Sequence, residues 1–438
     1  MNKKLHTLFE GLHTFLILWV TQSFSALGSS MTSYALVVWS YQQKGSALTT
    51  ALLSICSYAP YVLLSIFAGA LSDRWNKKHT MLVCDSFAAA TTLLILILLK
   101  TENLALWHLY ILNALNGLMN TLQQPASDVA VSLLTPREQY QRVSGLRAFS
   151  NSLVTVLTPV LATMVFSFAG IDAVLVFDLI TFSAAFITLA CFITIPQAEA
   201  DGNREESVLV SAKEGLKSLK RNRGILNLIL FLAAINLTAS MYNAALPAMI
   251  LSRNGGSRIA LGMVNACTGM ANLAGSLLVS FCHPPKSRVR VICNSLLIAM
   301  CTENFFLAFG RQPWVWCAGA ILAWICIPFM NANMDVLFRS RIPLTMQGRV
   351  YSARNTLQFF TIPVGYLLGG LLVDQVFEPL MASQQPGNLL AVMFGTGKGS
   401  GAAALFCLLG ILGVATCLVF RRDRHICCLL YTSDAADE

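Results

Sequence analysis

Four amide side chains share one apolar stretch at helical spacing: Asn113, Asn116, Asn120 and Gln123, set 3, 4 and 3 residues apart. On a helix that spacing forms a single polar stripe. Amides donate and accept, so the stripe can bond the hydroxyls, carbonyls and amines of a ligand, or bond neighbouring helices. Asn236, Asn243 and Asn331 add amides further along, with Gln22 and Gln358 beside them. Three carboxylates also stand inside apolar runs: Asp85, Asp178 and Glu303. A carboxylate in such surroundings suits proton uptake and release, and equally suits structural pairing. Asp178 and Glu303 are the best placed of the three for proton coupling. No nucleophile–base pair and no metal-ligand spacing occurs, and the thirteen cysteines are scattered through apolar runs. The expectation is therefore no enzyme, no cofactor and no metal.

The elements that must carry these residues follow from composition. Hydrophobic residues make up 55% of the 438 and charged residues 12%, too apolar for a soluble domain of this length. A membrane-crossing helix needs ~20 apolar residues. Twelve runs qualify, near 13–37, 48–69, 79–99, 105–127, 146–168, 172–195, 224–250, 259–281, 291–309, 314–337, 351–373 and 400–420. Gly, Pro and charge clusters separate them.

The formal charge of +9 invites a nucleic-acid reading, which the placement of the cations rejects. With the N-terminus inside, the inner segments hold 24 of the 30 Lys and Arg. That asymmetry predicts a multi-pass protein of the plasma membrane with both termini cytoplasmic. The first apolar run, about 25 residues long, exceeds a cleaved signal peptide and is expected to be retained. No Lys or Arg falls in the middle third of any run, which argues against a strongly anionic substrate.

The chain repeats itself. Asp128-Val129, Pro136, Arg142-Val143 and Arg147 recur as Asp335-Val336, Pro343, Arg349-Val350 and Arg354, all at an offset of 207 residues. Each copy joins an apolar run to a basic loop, so the chain reads as two copies of one six-helix bundle. The expected division is 1–195 for the first half, 196–223 for a linker and 224–427 for the second half. The linker is polar at first and then amphipathic, which suits an interfacial helix or a plain connection.

Between the second and third runs lies Gly69-Ala70-Leu71-Ser72-Asp73-Arg74-Trp75-Asn76-Lys77-Lys78. This stretch resembles the loop 2–3 signature of the Major Facilitator Superfamily, Gly-x-x-x-Asp-Arg-x-Gly-Arg-Arg, with Asn76 and Lys77 as departures. The resemblance implies an all-α membrane protein: twelve transmembrane helices in two six-helix halves, the major facilitator fold. It implies an inner gate of Gly69, Asp73, Arg74, Lys77, Asp128 and Arg349. In that gate Asp73 meets the start of the eleventh helix near Arg349, and Lys77 or Arg74 meets Asp128. It also implies that the fourth helix lines a central cavity, its stripe facing Asn236, Asn243 and Asn331. The fifth helix departs from the drug-antiporter pattern: Thr158-Pro159-Val160-Leu161 lacks the usual glycines.

A long outer loop is expected at 374–399. Its Phe377-Glu378-Pro379, with 69–78 and 343–350, resembles the macrolide-efflux branch of the superfamily. The glycine-rich 395–401 fails as a phosphate loop, since Gly399 follows Lys398 where Ser or Thr is required. The tail 428–438 resembles a translated sequencing adapter and is expected to be non-native.

The resemblance implies export of amphipathic, macrolide-type drugs by proton antiport and alternating access. The partners are a small-molecule substrate, protons and the lipid bilayer, with no nucleic acid, and the chain is expected to act as a monomer. Export of a siderophore or other secondary metabolite is the alternative within transport. A non-transporting membrane sensor is the alternative of another class.

Overall fold

A backbone in hydrocarbon must satisfy its own hydrogen bonds, and helices do so within one segment. In the computed structural model the described residues are 13–136, 140–195, 223–253, 257–282, 285, 287–341, 354, 357–385 and 387–423. The side chains at 65–74, and some at 141–148 and 339–341, also lie outside the description. So do Arg349, the linker 196–222 and the tail from 424 onward.

The first half comprises α1 (His13–Lys44), α2 (Ala47–Arg74), α3 (Lys77–Lys100), α4 (Leu106–Leu133), α5 (140–169) and α6 (171–192). Gly170 divides α5 from α6 with φ 79° and ψ 176°, a backbone shape that an L side chain rarely adopts. The second half comprises α7 (Arg223–Ser252), α8 (Arg258–Phe281) and α9 (Arg288–Phe309), then α10, which is built from Pro313–Trp324 and Ile327–Arg341. Its α11 runs from Thr361–Leu371 through a wide turn at Leu372–Phe377 into Glu378–Ala382, and α12 is Ser400–Arg421.

Among the described residues, nine stretches are long and apolar enough to cross a membrane, and one of them, Phe149–Phe192, contains both α5 and α6. The two remaining long helices, α1 and α4, fall short of that apolarity. They are the helices that carry Gln22 and the amide stripe. Large apolar side chains such as Val83, Ile97, Ile180, Leu277 and Val419 lie exposed on the outer faces, as a lipid-facing surface requires.

Contacts divide the chain into two units: Met1–Trp39 with Cys56–Glu205, and Ser40–Ile55 with Glu206–Glu438. In the first unit Leu18, Met81, Ala126, Leu189 and Ile193 form a buried cluster. Gly117 of α4 lies against the Ser57 backbone of α2, so that a Cβ there would sit 2.2 Å from the Ser57 carbonyl oxygen. The second unit is packed around α7, whose Leu228, Ile229 and Phe231 meet Ile292 and Leu296 of α9. Among the described cysteines Cys84, Cys293, Cys317 and Cys417 are buried, whereas Cys191, Cys282 and Cys301 are exposed.

Local chemistry ends the helices. Asn76, where the family signature has glycine, caps α3: its Oδ1 accepts from the His79 amide at 3.1 Å. The α2 N-terminus is capped from another helix. Asp374, in the wide turn of α11, accepts from the Ala47 amide at 3.0 Å, the Leu48 amide at 2.9 Å and Ser46 Oγ at 2.5 Å.

The expected outer loop at 374–399 needs correction. Helix continues to Ala382, so Phe377-Glu378-Pro379 is helical. Its Glu378 accepts from the Gly399 amide at 3.0 Å and the Ala402 amide at 3.3 Å, at the start of α12. The glycine-rich turn, with positive φ at Gly395, Gly397 and Gly399, therefore receives an anion after all, and the anion is the chain's own carboxylate.

Candidate functional site

Three helices of the first unit enclose a polar cavity of about 480 Å³. Trp19, Gln22 and Ser23 come from α1, Asn120, Gln123, Gln124 and Ser127 from α4, and Arg147, Ser150 and Asn151 from α5. Helical periodicity explains the set, since 120, 123, 124 and 127 occupy one face of α4. The walls are tied together: Ser150 Oγ donates to Ser23 Oγ, joining α5 to α1. A second hollow of about 550 Å³ lies between α3 and α4, lined by Trp75, Val83, Cys84, Met119 and Leu122 among others. Among the described residues it holds none of the amides of the stripe and no carboxylate, so the smaller polar cavity is the candidate site.

The predicted stripe divides. Asn120 is exposed and, with Gln123, lines the cavity. Asn113 is folded onto its own helix, donating to the Leu109 carbonyl at 2.8 Å. The Asn116 Oδ1 is buried without a hydrogen-bond partner. In the second unit, Asn243 and Asn331 are exposed, while Asn236 Nδ2 donates to the Gln358 carbonyl at 3.4 Å.

Sequence reasoning missed the contribution of α5. Arg147 lines the cavity and pairs with Asp128 at 2.5 Å. The expected partner of Asp128 was Lys77 or Arg74. Among the described residues it is Arg147, because α4 and α5 are adjacent in sequence and the motif sets the two residues 19 apart across their connection. Lys77 is buried, and its Nζ donates to the Trp75 carbonyl at 3.1 Å. Gly69, Asp73 and Arg74 belong to α2, but their side chains, like Arg349, lie outside the described residues.

The three embedded carboxylates have different surroundings. Asp178 of α6, 4% exposed, accepts from Ser29 Oγ at 3.0 Å and Thr92 Oγ1 at 3.2 Å. Glu303 of α9, 6% exposed, accepts from Trp324 Nε1 at 2.7 Å, with Tyr242 also bonded to it. Neither lines either hollow. Asp85 of α3 is also buried, but its partners belong to the cavity wall: Gln123 Nε2 donates at 2.5 Å and Gln22 Nε2 at 3.3 Å. Among the described residues no cluster of His, Cys, Asp or Glu is arranged to hold a metal.

The polar cavity is walled by α1, α4 and α5 of a multi-span helical membrane protein. Residues 18–366 match the model of the Major Facilitator Superfamily, and the chain belongs to that superfamily. It is similar to Macrolide efflux protein A of Streptococcus pyogenes, 23% identical over 83% of the chain and 90% of that protein. It is also similar to the multidrug efflux pump Tap of Mycolicibacterium fortuitum, 22% identical over 84% of the chain and 91% of that protein. These similarities support the macrolide-efflux-like branch. Among solved structures, the nucleoside transporter NupG shares the fold with a TM-score of 0.65 at 12% identity, covering 93% of this chain and 98% of that one. A bacterial homologue of the human lysosomal transporter Spinster gives 0.62 at 14% identity, with 95% of each chain covered.

Proposed function

We propose that the protein is a secondary active exporter of amphipathic, macrolide-type drugs, driven by proton antiport and alternating access, acting as a monomer with both termini cytoplasmic. The observation that carries the substrate class is the cavity wall. Among the described lining residues its polar groups are amides and hydroxyls with one cation, Arg147, which is paired with Asp128. Such a wall offers hydrogen bonds to hydroxyls, carbonyls and amines, with apolar area from Phe15, Leu18 and Trp19. Among the described residues it offers no free cation to hold a phosphate. The basic cytoplasmic segments support the orientation, and the similarity to macrolide and multidrug efflux proteins supports export.

The test is a susceptibility panel in a pump-deficient bacterial host expressing the chain. Raised resistance to macrolides or monocationic dyes is expected, with drug accumulation restored by a protonophore. Unchanged susceptibility, with the protein present in the membrane, contradicts drug export and leaves the siderophore exporter and the sensor.

A further inference from the structure

We propose that Asp85 sets what the cavity wall offers to a substrate, through the two glutamines that stand between it and the cavity. The assignment rests on the proton-antiport reading above and gives that reading a specific site.

The argument begins with the two hydrogen bonds. An ionised carboxylate only accepts. Gln123 and Gln22 each direct an Nε2 at Asp85, one to each of its oxygens. An amide is planar, with its oxygen and nitrogen on opposite sides of the terminal carbon. Committing one N–H of each amide to Asp85 turns both Oε1 atoms away from it, where both residues line the wall, with one further N–H left on each amide. The wall then presents acceptors, which suit a ligand with hydroxyls or a protonated amine.

Protonation reverses this. Asp85 takes a proton that hydronium delivers from the cavity side, the hydronium O–H bond breaking to leave water as the carboxylate O–H forms, and becomes a donor at one oxygen. That donor needs an acceptor, and the adjacent groups are the two glutamines. One amide turns about its terminal bond, gives its Oε1 to Asp85 and places its NH2 toward the cavity. The wall loses an acceptor and gains a donor facing an ammonium or hydroxyl. Proton and substrate therefore disfavour one another, as exchange requires.

Among the described residues no other charged group is recorded as bonded to Asp85. On α3, Cys84 adjoins Asp85, and Lys78 donates to the Ala190 and Ile193 carbonyls of α6 and the segment after it. The α1 and α4 helices face Asp85 with Gln22 and Gln123. Asp178 of α6 meets α3 two turns further on, at Thr92. Arg147 and Asp128 are bound to one another.

The experiment measures equilibrium binding of radiolabelled erythromycin, a monocationic macrolide, to the purified full-length protein from pH 5.5 to 8.5. Wild-type affinity should fall with acidification, approaching tenfold per pH unit below the midpoint, the limit for competition with one proton. Asp85→Asn should bind within about twofold across the range, because its amide donates and accepts regardless of pH. Asp85→Glu should restore the slope with a displaced midpoint, and it decides the matter if the Asn variant does not fold. A wild-type slope in Asp85→Asn, or an unmoved midpoint in Asp85→Glu, overturns the proposal. Gradient-driven export by wild type without pH-dependent binding overturns Asp85 but spares antiport. Absence of gradient-driven export removes antiport itself.

Discussion

Arg147 Nη2, on the cavity wall, lies 2.5 Å from Asp128 Oδ1, joining the start of α5 to the C-terminal part of α4. These are the first and last residues of the repeated motif. In the second copy the end residue, Arg354, sits over the Phe338 ring, 5.1 Å from its centroid.

The pair predicts a charge effect on specificity. Both side chains are more than a third exposed, so its worth to stability is small, well under ~1 kcal/mol. Asp128→Asn leaves an uncompensated cation on the wall and should lower efflux of monocationic dyes severalfold more than efflux of neutral substrates. Arg147→Gln should reverse that preference, and the double variant should return toward wild type. Efflux rates of matched charged and neutral fluorescent substrates check this. Equal losses for both classes in each variant count against it.

The amide stripe predicts a division between function and stability. Asn120→Leu, which removes an exposed cavity amide, should change which compounds are exported without lowering the amount of protein. Asn116→Leu removes a buried, unpartnered acceptor. It should leave the substrate range unchanged and hold or raise the thermal midpoint, because an unsatisfied buried polar group costs ~1–3 kcal/mol. Resistance profiles and thermal unfolding of the solubilised protein read the two effects separately.

Asp178 and Glu303 line neither hollow, and a packing role for both is the expectation tested next. Replacing Asp178 with Ala strands the hydroxyls of Ser29 and Thr92 and should lower the unfolding midpoint by several degrees, at ~1–3 kcal/mol for buried donors left unpaired. Glu303→Gln keeps an acceptor for Trp324 and should cost less. Both variants that reach the membrane should retain dependence of export on the pH gradient. Loss of that dependence in either returns the proton to it.

Much of the fold was legible from apolar run length alone, because hydrocarbon admits few backbone solutions. The α1 and α4 helices were legible by the same rule, although they are the long helices that fall short of membrane-crossing apolarity among the described residues. Contacts across helices were harder to read. Periodicity placed Asn113, Asn116, Asn120 and Gln123 on one stripe, yet only depth and neighbours decided which of them meet the cavity. Arg147 was visible in the motif but not as a wall residue, since nothing local ties a residue on α5 to α1 and α4. The role of Asp374 was invisible for the same reason: it caps a helix more than 300 residues away in sequence.

That cap yields a further prediction. Asp374→Ala should destabilise the start of α2 by about 1 kcal/mol, the usual cost of a lost N-cap, and Asp374→Asn by less. Thermal unfolding in detergent checks the order. If Ala and Asn variants melt with wild type, the carboxylate is not holding the helix.

The central claim is that a pH gradient drives drug movement through this chain. Purified protein is reconstituted into liposomes, an acidic interior is imposed, and uptake of radiolabelled erythromycin is followed. Uptake several times that of protein-free liposomes, abolished by a protonophore, is the predicted result. Uptake equal to that of protein-free liposomes, from protein shown to be folded and inserted, would contradict the account.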